Sequence, residues 1–232
     1  MPAEMNVIEC IRTRRSVRKY LDKPVESDKL ATVLESGNSA PSSGNLQNWR
    51  FIIVTDEKIK NELAEASLKQ YWMLTAPVFI VVVAIPGNVV RYYGHRGEHL
   101  YSVQNSAAAV QNMLISANYL GLGSCWIGAF DEEGVKRSLN IPDSARPQAI
   151  ITLGYPDGPA YDTHSFKLFD MVFFNKWEAR IKDIEWALGE YGPSVLKSIS
   201  KGTKEFYKKH KNTLVKFNDK GQELIDKIAN NF

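Results

Sequence analysis

Residues 121–130 read GLGSCWIGAF, and the fold class turns on how they are read. Gly121 and Gly123 are superficially similar to the start of a dinucleotide-binding glycine motif. That motif needs a third glycine where Trp126 stands, and it must follow a strand. Here the stretch follows a long helical pattern instead. The dinucleotide reading fails, and with it goes the main argument for a doubly wound parallel sheet. What remains is a helix stop and a strand-like SCWIGAF. The segment passes through Gly128 and Ala129, where little side chain bars a flat ring from the backbone amides.

Working outward, residues 98–120 form the longest helical pattern before the tail. Its SAAAVQNMLISANYL core is rich in small residues that let another backbone approach, and Gly121 ends it. Downstream come an expected helix at Asp131–Leu139, a turn at Ile141-Pro142-Asp143 and a strand at Ala149–Leu153, stopped by Gly154-Tyr155-Pro156. Upstream, APVFIVVVAIP at 76–86 contains a buried strand at 78–84. Further helices are expected at 5–13, at 27–36 and at 56–70. The second has Ser27 as N-cap and Gly37 as stop; the third has Ile59, Leu63, Ala66 and Leu68 mostly on one side. A strand is expected at Arg50–Thr55. Helices and strands are mixed without strict alternation, which favours an α+β arrangement: a mixed sheet covered by helices.

The 232 residues, 44% hydrophobic and 24% charged, suit a soluble globular chain with one substantial core. The net charge of +3 is too small to argue for nucleic acid or membrane. No apolar run is long enough to span a bilayer, and the N-terminus lacks a signal peptide's apolar core, so a cytoplasmic protein is expected. Cys10 and Cys125 are expected to be reduced and partly buried. Residues 178–232 stand apart. Between Lys197 and Lys220, eight lysines face only Glu205 and Asp219, a local charge of +6. Leu196, Ile199, Phe206, Leu214, Phe217, Leu224 and Ile228 fall near one helical face. The expected organisation is a domain at 1–177 and a lysine-rich helical extension that docks through its apolar stripe. The alternative is a tail that contacts nucleic acid or an acidic partner.

Two stretches carry candidate chemistry. TRRSVRKY at 13–20 puts Arg14, Arg15 and Arg18 around Ser16, a set suited to a phosphate; alone, it reads equally as a solvated basic turn. NSAPSSGNLQNWRFIIV at 38–54 runs a small polar loop, Pro41 to Gln47, straight into a strand. Such loops often aim backbone amides and short side chains at a ligand, though a plain polar turn has the same composition. Other motifs fail. His95-Arg96-Gly97-Glu98-His99 matches a metalloprotease pattern, but Gly94 and Gly97 are poor helix residues there and no third ligand follows. Gly37 to Pro41 misses the nucleophile elbow at its last position. No metal is expected.

These segments, in this order, resemble the nitroreductase family of FMN-dependent oxidoreductases: RRSVRKY, APSSGNLQNWRFIIV, RYYGHRGEHLY before the Ala-rich helix, GLGSCWIGAFDEEGV and RPQAIITLGYP. The resemblance runs from about residue 6 to Trp177. It implies a three-layer α+β sandwich, an obligate homodimer, and FMN at the subunit interface, with NADH or NADPH as electron donor. It assigns Arg14, Arg15 and Ser16 to the phosphate and ribityl chain, and Arg18 to the flavin N1–O2 edge. Pro41, Ser42, Ser43 and Asn45 would reach a flavin held mainly by the other subunit. Asn105 would contact the ribityl chain, Gln70 the pyrimidine edge, and the backbone of Ile127 and Gly128 the region of N5. No side chain is expected to be an obligatory general acid. The family usually supplies a late Arg or Lys for the phosphate. THSFKLFD has no Arg there, leaving Lys167 or His164. Tyr92, Tyr93 and Phe130 are candidates for an acceptor pocket. The expected activity is ping-pong electron transfer from NAD(P)H to a nitroaromatic, quinone or enone. The alternative is a flavin-holding protein without turnover.

Overall fold

The computed structural model describes residues 6–159, 165–173 and 175–179. The chain divides into two compact units, Met1–Thr163 and His164–Phe232, each described by itself. The expected helical extension lies outside the described residues except for Glu178 and Ala179. Within the second unit, a short helix α7 spans Leu168–Met171, and Phe173 meets Trp177 edge-on at 5.0 Å.

The first unit starts with α1 (Val7–Thr13), set by a capping box. The Asn6 side chain accepts from the Glu9 amide at 3.0 Å, and the Glu9 carboxylate accepts from the Asn6 amide at 3.2 Å. Then follow α2 (Ser27–Asn38), β1 (Trp49–Val54), α3 (Glu57–Ala66), β2 (Val78–Ala84), α4 (Gly87–Arg96), a π-helical turn at Gly97–Tyr101, and α5 (Ser102–Tyr119). β3 (Gly123–Ile127), α6 (Glu132–Leu139) and β4 (Arg146–Gly154) complete it.

The four strands are ordered β1-β2-β4-β3 and every pairing is antiparallel. The parallel component of the expected mixed sheet is confined to an isolated bridge, Ser16 to Ser124. All seven residues of β2 are buried, and their alternation divides the core. Val78, Ile80 and Val82 join Ala149, Ile151 and Leu153 under α5, through Ala109, Val110, Met113 and Ala117. Phe79, Val81 and Val83 join Ile150 on the other face, with Leu63 of α3 and Val135 of α6. The result is a helix–sheet–helix sandwich. Each buried Val, Ile or Phe in it is worth about 1.5–3 kcal/mol.

Several local expectations change. Gly37 does not stop α2, which runs to Asn38. It is small because a Cβ there would sit 2.3 Å from Met113 Cε. Glu26, not Ser27, is the N-cap. α3 ends at Ala66, and Leu68 is 69% exposed in a left-handed turn with Lys69. The segment 87–101 is helical despite its glycines. Gly94 breaks the helical path at φ 55°, and Gly97 is required because a Cβ would meet the Val89 carbonyl oxygen at 2.3 Å.

Candidate functional site

The expected site residues fall into two groups. The first surrounds β3. Arg14 caps the C-terminus of α1, and residues 16–20 then run as a strap along the sheet edge. The Val17 amide donates to the Ser124 carbonyl at 3.0 Å, the Leu21 amide to Tyr155 at 2.9 Å, and the Asp157 amide to Lys19 at 3.0 Å. Gly123 makes room for this, because a Cβ there would strike Val17 at 2.8 Å. Arg15 donates through Nη1 to the carbonyls of Arg12 and Arg14, at 2.7 and 3.0 Å. The Arg18 guanidinium lies 5.8 Å from the Trp72 ring centroid. Gln70 donates through Nε2 to Ser67 O at 2.9 Å and to Ala129 O at 3.4 Å, which brings it beside Ile127 and Gly128.

Beneath the strap sits the Cys125 thiol. Burial pushes its pKa up, while Arg18, a hydrogen bond with Ser16 and Arg14 pull it down. Both cysteines are free and buried. Gly128 and Ala129 are exposed, and a Cβ on Gly128 would meet only Trp126 Nε1, at 3.6 Å. Arg14, Arg15, Gly121, Gly123 and Ser124 also line a pocket of about 290 Å³. A larger open cleft of about 990 Å³ between α3 and α6 is lined by none of the expected site residues.

The second group lies at the start of β1, the opposite edge of the sheet. Asn105, 4% exposed on α5, accepts from the Ser43 amide at 2.9 Å. Its amide nitrogen donates to Ser43 Oγ at 3.0 Å and to Asn48 Oδ1 at 2.8 Å. The Ser42 hydroxyl accepts from the Gln47 amide at 3.0 Å. Gly44, Asn45 and Gln47 all have positive φ, from 44° to 56°, a backbone that costs energy at the two non-glycine positions. A Cβ on Gly44 would meet Tyr93 Oη at 2.6 Å, so Tyr93 packs against this loop. Pro41 and Asn45 are exposed.

The structure thus brings Arg14, Arg15, Ser16, Arg18, Gln70, Ile127 and Gly128 together, and Pro41, Ser42, Ser43, Asn45 and Asn105 together, but not the two sets with each other. Phe130 is half-buried against the second core, and Tyr92 is exposed. Lys167 belongs to the second unit, and His164 lies outside the described residues. The rings of His95 and His99 stack at 4.1 Å. Among the described residues no group of three His, Cys, Asp or Glu is placed to hold a metal. Sequence reasoning missed Trp72 and Asn48. Nothing separates Trp72 from the four other tryptophans; Asn48 is the buried amide among three in the loop 45–48.

Fold and site define a helix–sheet–helix α+β protein with ligand-type groups gathered at both sheet edges. A model described as the nitroreductase family matches residues 11–72 and 66–155, and the chain belongs to that family. A relative from Methanothermobacter thermautotrophicus, carrying the provisional name NADH dehydrogenase/NAD(P)H nitroreductase, is 32% identical over 187 residues, covering 75% of this chain and 90% of the relative. The solved NADPH:FMN oxidoreductase from Vibrio harveyi, complexed with NAD+, is 26% identical with a TM-score of 0.68 over 74% of this chain and 78% of that one. An FMN-dependent nitroreductase from Clostridium difficile is 27% identical with a TM-score of 0.63, over 73% and 99%.

Proposed function

We propose that the protein is a homodimeric, cytoplasmic, FMN-dependent oxidoreductase that passes electrons from NADH or NADPH to a small organic acceptor such as a nitroaromatic, quinone or enone. The observation that carries this is the placement along β3 of the strap with its arginines, at Gly123 and Ser124, and of Gln70 beside the bare backbone of Gly128 and Ala129 just past Ile127. The donor set fits the group. Guanidiniums and a serine hydroxyl suit a phosphate, and an exposed glycine leaves the backbone open to a flat ring.

When bound, the flavin would supply the hydride-accepting centre. Arg14, Arg15 and Ser16 would hold its phosphate-bearing chain. Arg18 would stabilise negative charge on its pyrimidine side. Gln70 and the amides near Gly128 would orient the ring. Pro41, Ser42, Ser43, Asn45 and Asn105 would serve the site of a second copy. Val7, Ile8 and Ile11 of α1 are largely exposed, leaving apolar surface for that copy. Among the described residues no helix is long and apolar enough to cross a membrane. The same reading keeps 1–177 as the site-bearing part and 178–232 as an appended extension.

The test is to purify the protein, identify any released chromophore by mass, titrate the stripped protein with FMN, and add NADH or NADPH anaerobically. Bound FMN that bleaches with a reduced nicotinamide supports the reading. A colourless protein that does not bind added FMN overturns it. Binding without bleaching overturns the enzymatic part.

A further inference from the structure

The strap that carries Ser16 and Arg18 is tied to the sheet from below by a buried tyrosine. Tyr20 is 5% exposed, and its ring packs on Gly154, where a Cβ would lie 3.0 Å from Tyr20 Cδ1. Its hydroxyl lies 2.7 Å from the Val17 carbonyl oxygen and 2.8 Å from Thr152 Oγ1. Proton inventory fixes the directions. A carbonyl has no proton to give; of the two in reach, Val17 O at 2.7 Å is nearer than Thr152 O at 3.4 Å, so Tyr20 donates its only proton to Val17 and Thr152 Oγ1 donates to Tyr20. A two-step relay therefore runs from β4 to the carbonyl between Ser16 and Arg18.

Thr152 has little other reason to be polar. It is fully buried, flanked by Ile150, Ile151 and Leu153. A valine would fill the same space without a hydroxyl to desolvate. Burial also pushes the Tyr20 pKa far up, so the hydroxyl keeps its proton throughout the neutral range.

We propose that Tyr20 and Thr152 are positioning residues for ligand binding: through the relay they fix the Val17 carbonyl, and so hold Ser16 and Arg18 ready before the flavin phosphate arrives. The inference rests on assigning the strap to FMN. A segment ordered in advance does not have its ordering cost subtracted from binding. The strap is also held by backbone pairs along the sheet edge, by the Lys19–Asp157 ion pair and by a hydrogen bond between Ser16 and the Cys125 thiol; the relay is the tie that acts on the Val17 carbonyl.

The test compares FMN with riboflavin, which shares the ring and ribityl chain but lacks the phosphate. Tyr20→Phe and Thr152→Val each delete one step of the relay without changing shape. Each is expected to weaken FMN about 10-fold, the equivalent of about 1.4 kcal/mol, and riboflavin, which still meets Arg18 but offers Ser16 no phosphate, by a smaller factor of about 3. The double variant should be little weaker than Tyr20→Phe, because the steps are in series. Thr152→Ser keeps the hydroxyl and should retain native FMN affinity, which also controls for misfolding of Thr152→Val. In the flavin-free protein, amide hydrogen exchange over residues 16–20 should quicken in the deletion variants while β2 stays protected. An unchanged ratio of FMN to riboflavin affinity, or unchanged exchange in the strap, overturns the proposal. If the native protein prefers FMN and the variants match it, only the relay fails. If the native protein binds neither flavin, the functional assignment fails and the relay's role with it.

Discussion

Lys60 buries an ammonium group with one carboxylate for company. Its side chain is 2% exposed and donates to Glu57 at 2.8 Å, with the Phe79 ring centroid 5.6 Å away. Glu57 is 75% exposed and readily solvated, so the desolvation cost falls on Lys60. Glu57→Ala should therefore destabilise the protein by about 1–3 kcal/mol, while Lys60→Met should be neutral or stabilising, as read by urea denaturation. Glu132 behaves differently. Arg146 grips it with two bonds of 2.9 Å, and that hydrogen bonding first, then the positive charge of Arg146 and Lys136, holds its carboxyl below the usual range. Its folded pKa lies under its unfolded one. The stabilisation is thus fully present above the ordinary carboxylate range and disappears as pH falls through the folded value. Both partners are partly exposed, so the pair is worth less than about 1 kcal/mol. Glu132→Gln should lower stability at neutral pH by that amount and flatten its decline below about pH 4.5. At the proposed site, Arg18→Ala should lower the midpoint potential of bound flavin by about 30 mV, the equivalent of about 1.4 kcal/mol for a two-electron couple. Spectroelectrochemistry reads it, and an unchanged potential would remove Arg18 from the ring.

At the scale of elements, the glycines of the 87–101 segment do different jobs. Gly87 opens α4 with nothing within 4 Å of a prospective Cβ, whereas Gly97 would drive one into the Val89 backbone. Gly87→Ala should stabilise by about 0.5–1 kcal/mol through helix propensity, and Gly97→Ala should cost about 3 kcal/mol because the obstacle cannot rotate away. Thermal melts of the two variants should move in opposite directions. The same glycines explain what the sequence concealed. β2 was legible because seven buried apolar residues in a row have few alternatives. α5 and α6 were legible from their spacing, although Asp131, expected as the first residue of α6, is its N-cap. α4 was not, because propensity argues against a helix that tertiary packing imposes around a glycine hole. The candidate site was legible as a set of residue types, since clustered arginines and small polar loops declare a chemistry. Its partition was legible only through the family resemblance, which sends Pro41, Ser42, Ser43 and Asn45 to the flavin of the other subunit. That two sequence-distant clusters flank opposite edges depends on strand order, and neither propensity nor periodicity encodes which strand lies next to which.

That partition governs the whole molecule. β1 and β3 are separated by three strand spacings, about 14 Å, and each edge carries one of the two sets of ligand-type groups. A ring held at the end of β3 is therefore approached by the strap of its own chain, while the Ser43–Asn105 loop of that chain faces elsewhere. In the proposed homodimer a two-fold axis would resolve this, because an isologous interface would bring the loop of each copy to the strap of the other and create two equivalent sites. The arrangement is testable by complementation. Arg14→Ala damages the strap, and Asn105→Ala removes the buried amide that holds Ser43. Each variant alone should bind FMN weakly at both sites. When they are co-expressed, random pairing makes about half of the dimers mixed, and each mixed dimer carries one site with both damaged halves and one with neither. About a quarter of all sites should then regain native FMN affinity, visible as a distinct tight phase in titration. If strap and loop served one site within a single chain, mixing would restore nothing, and the tight phase would be missing at every ratio of the two variants.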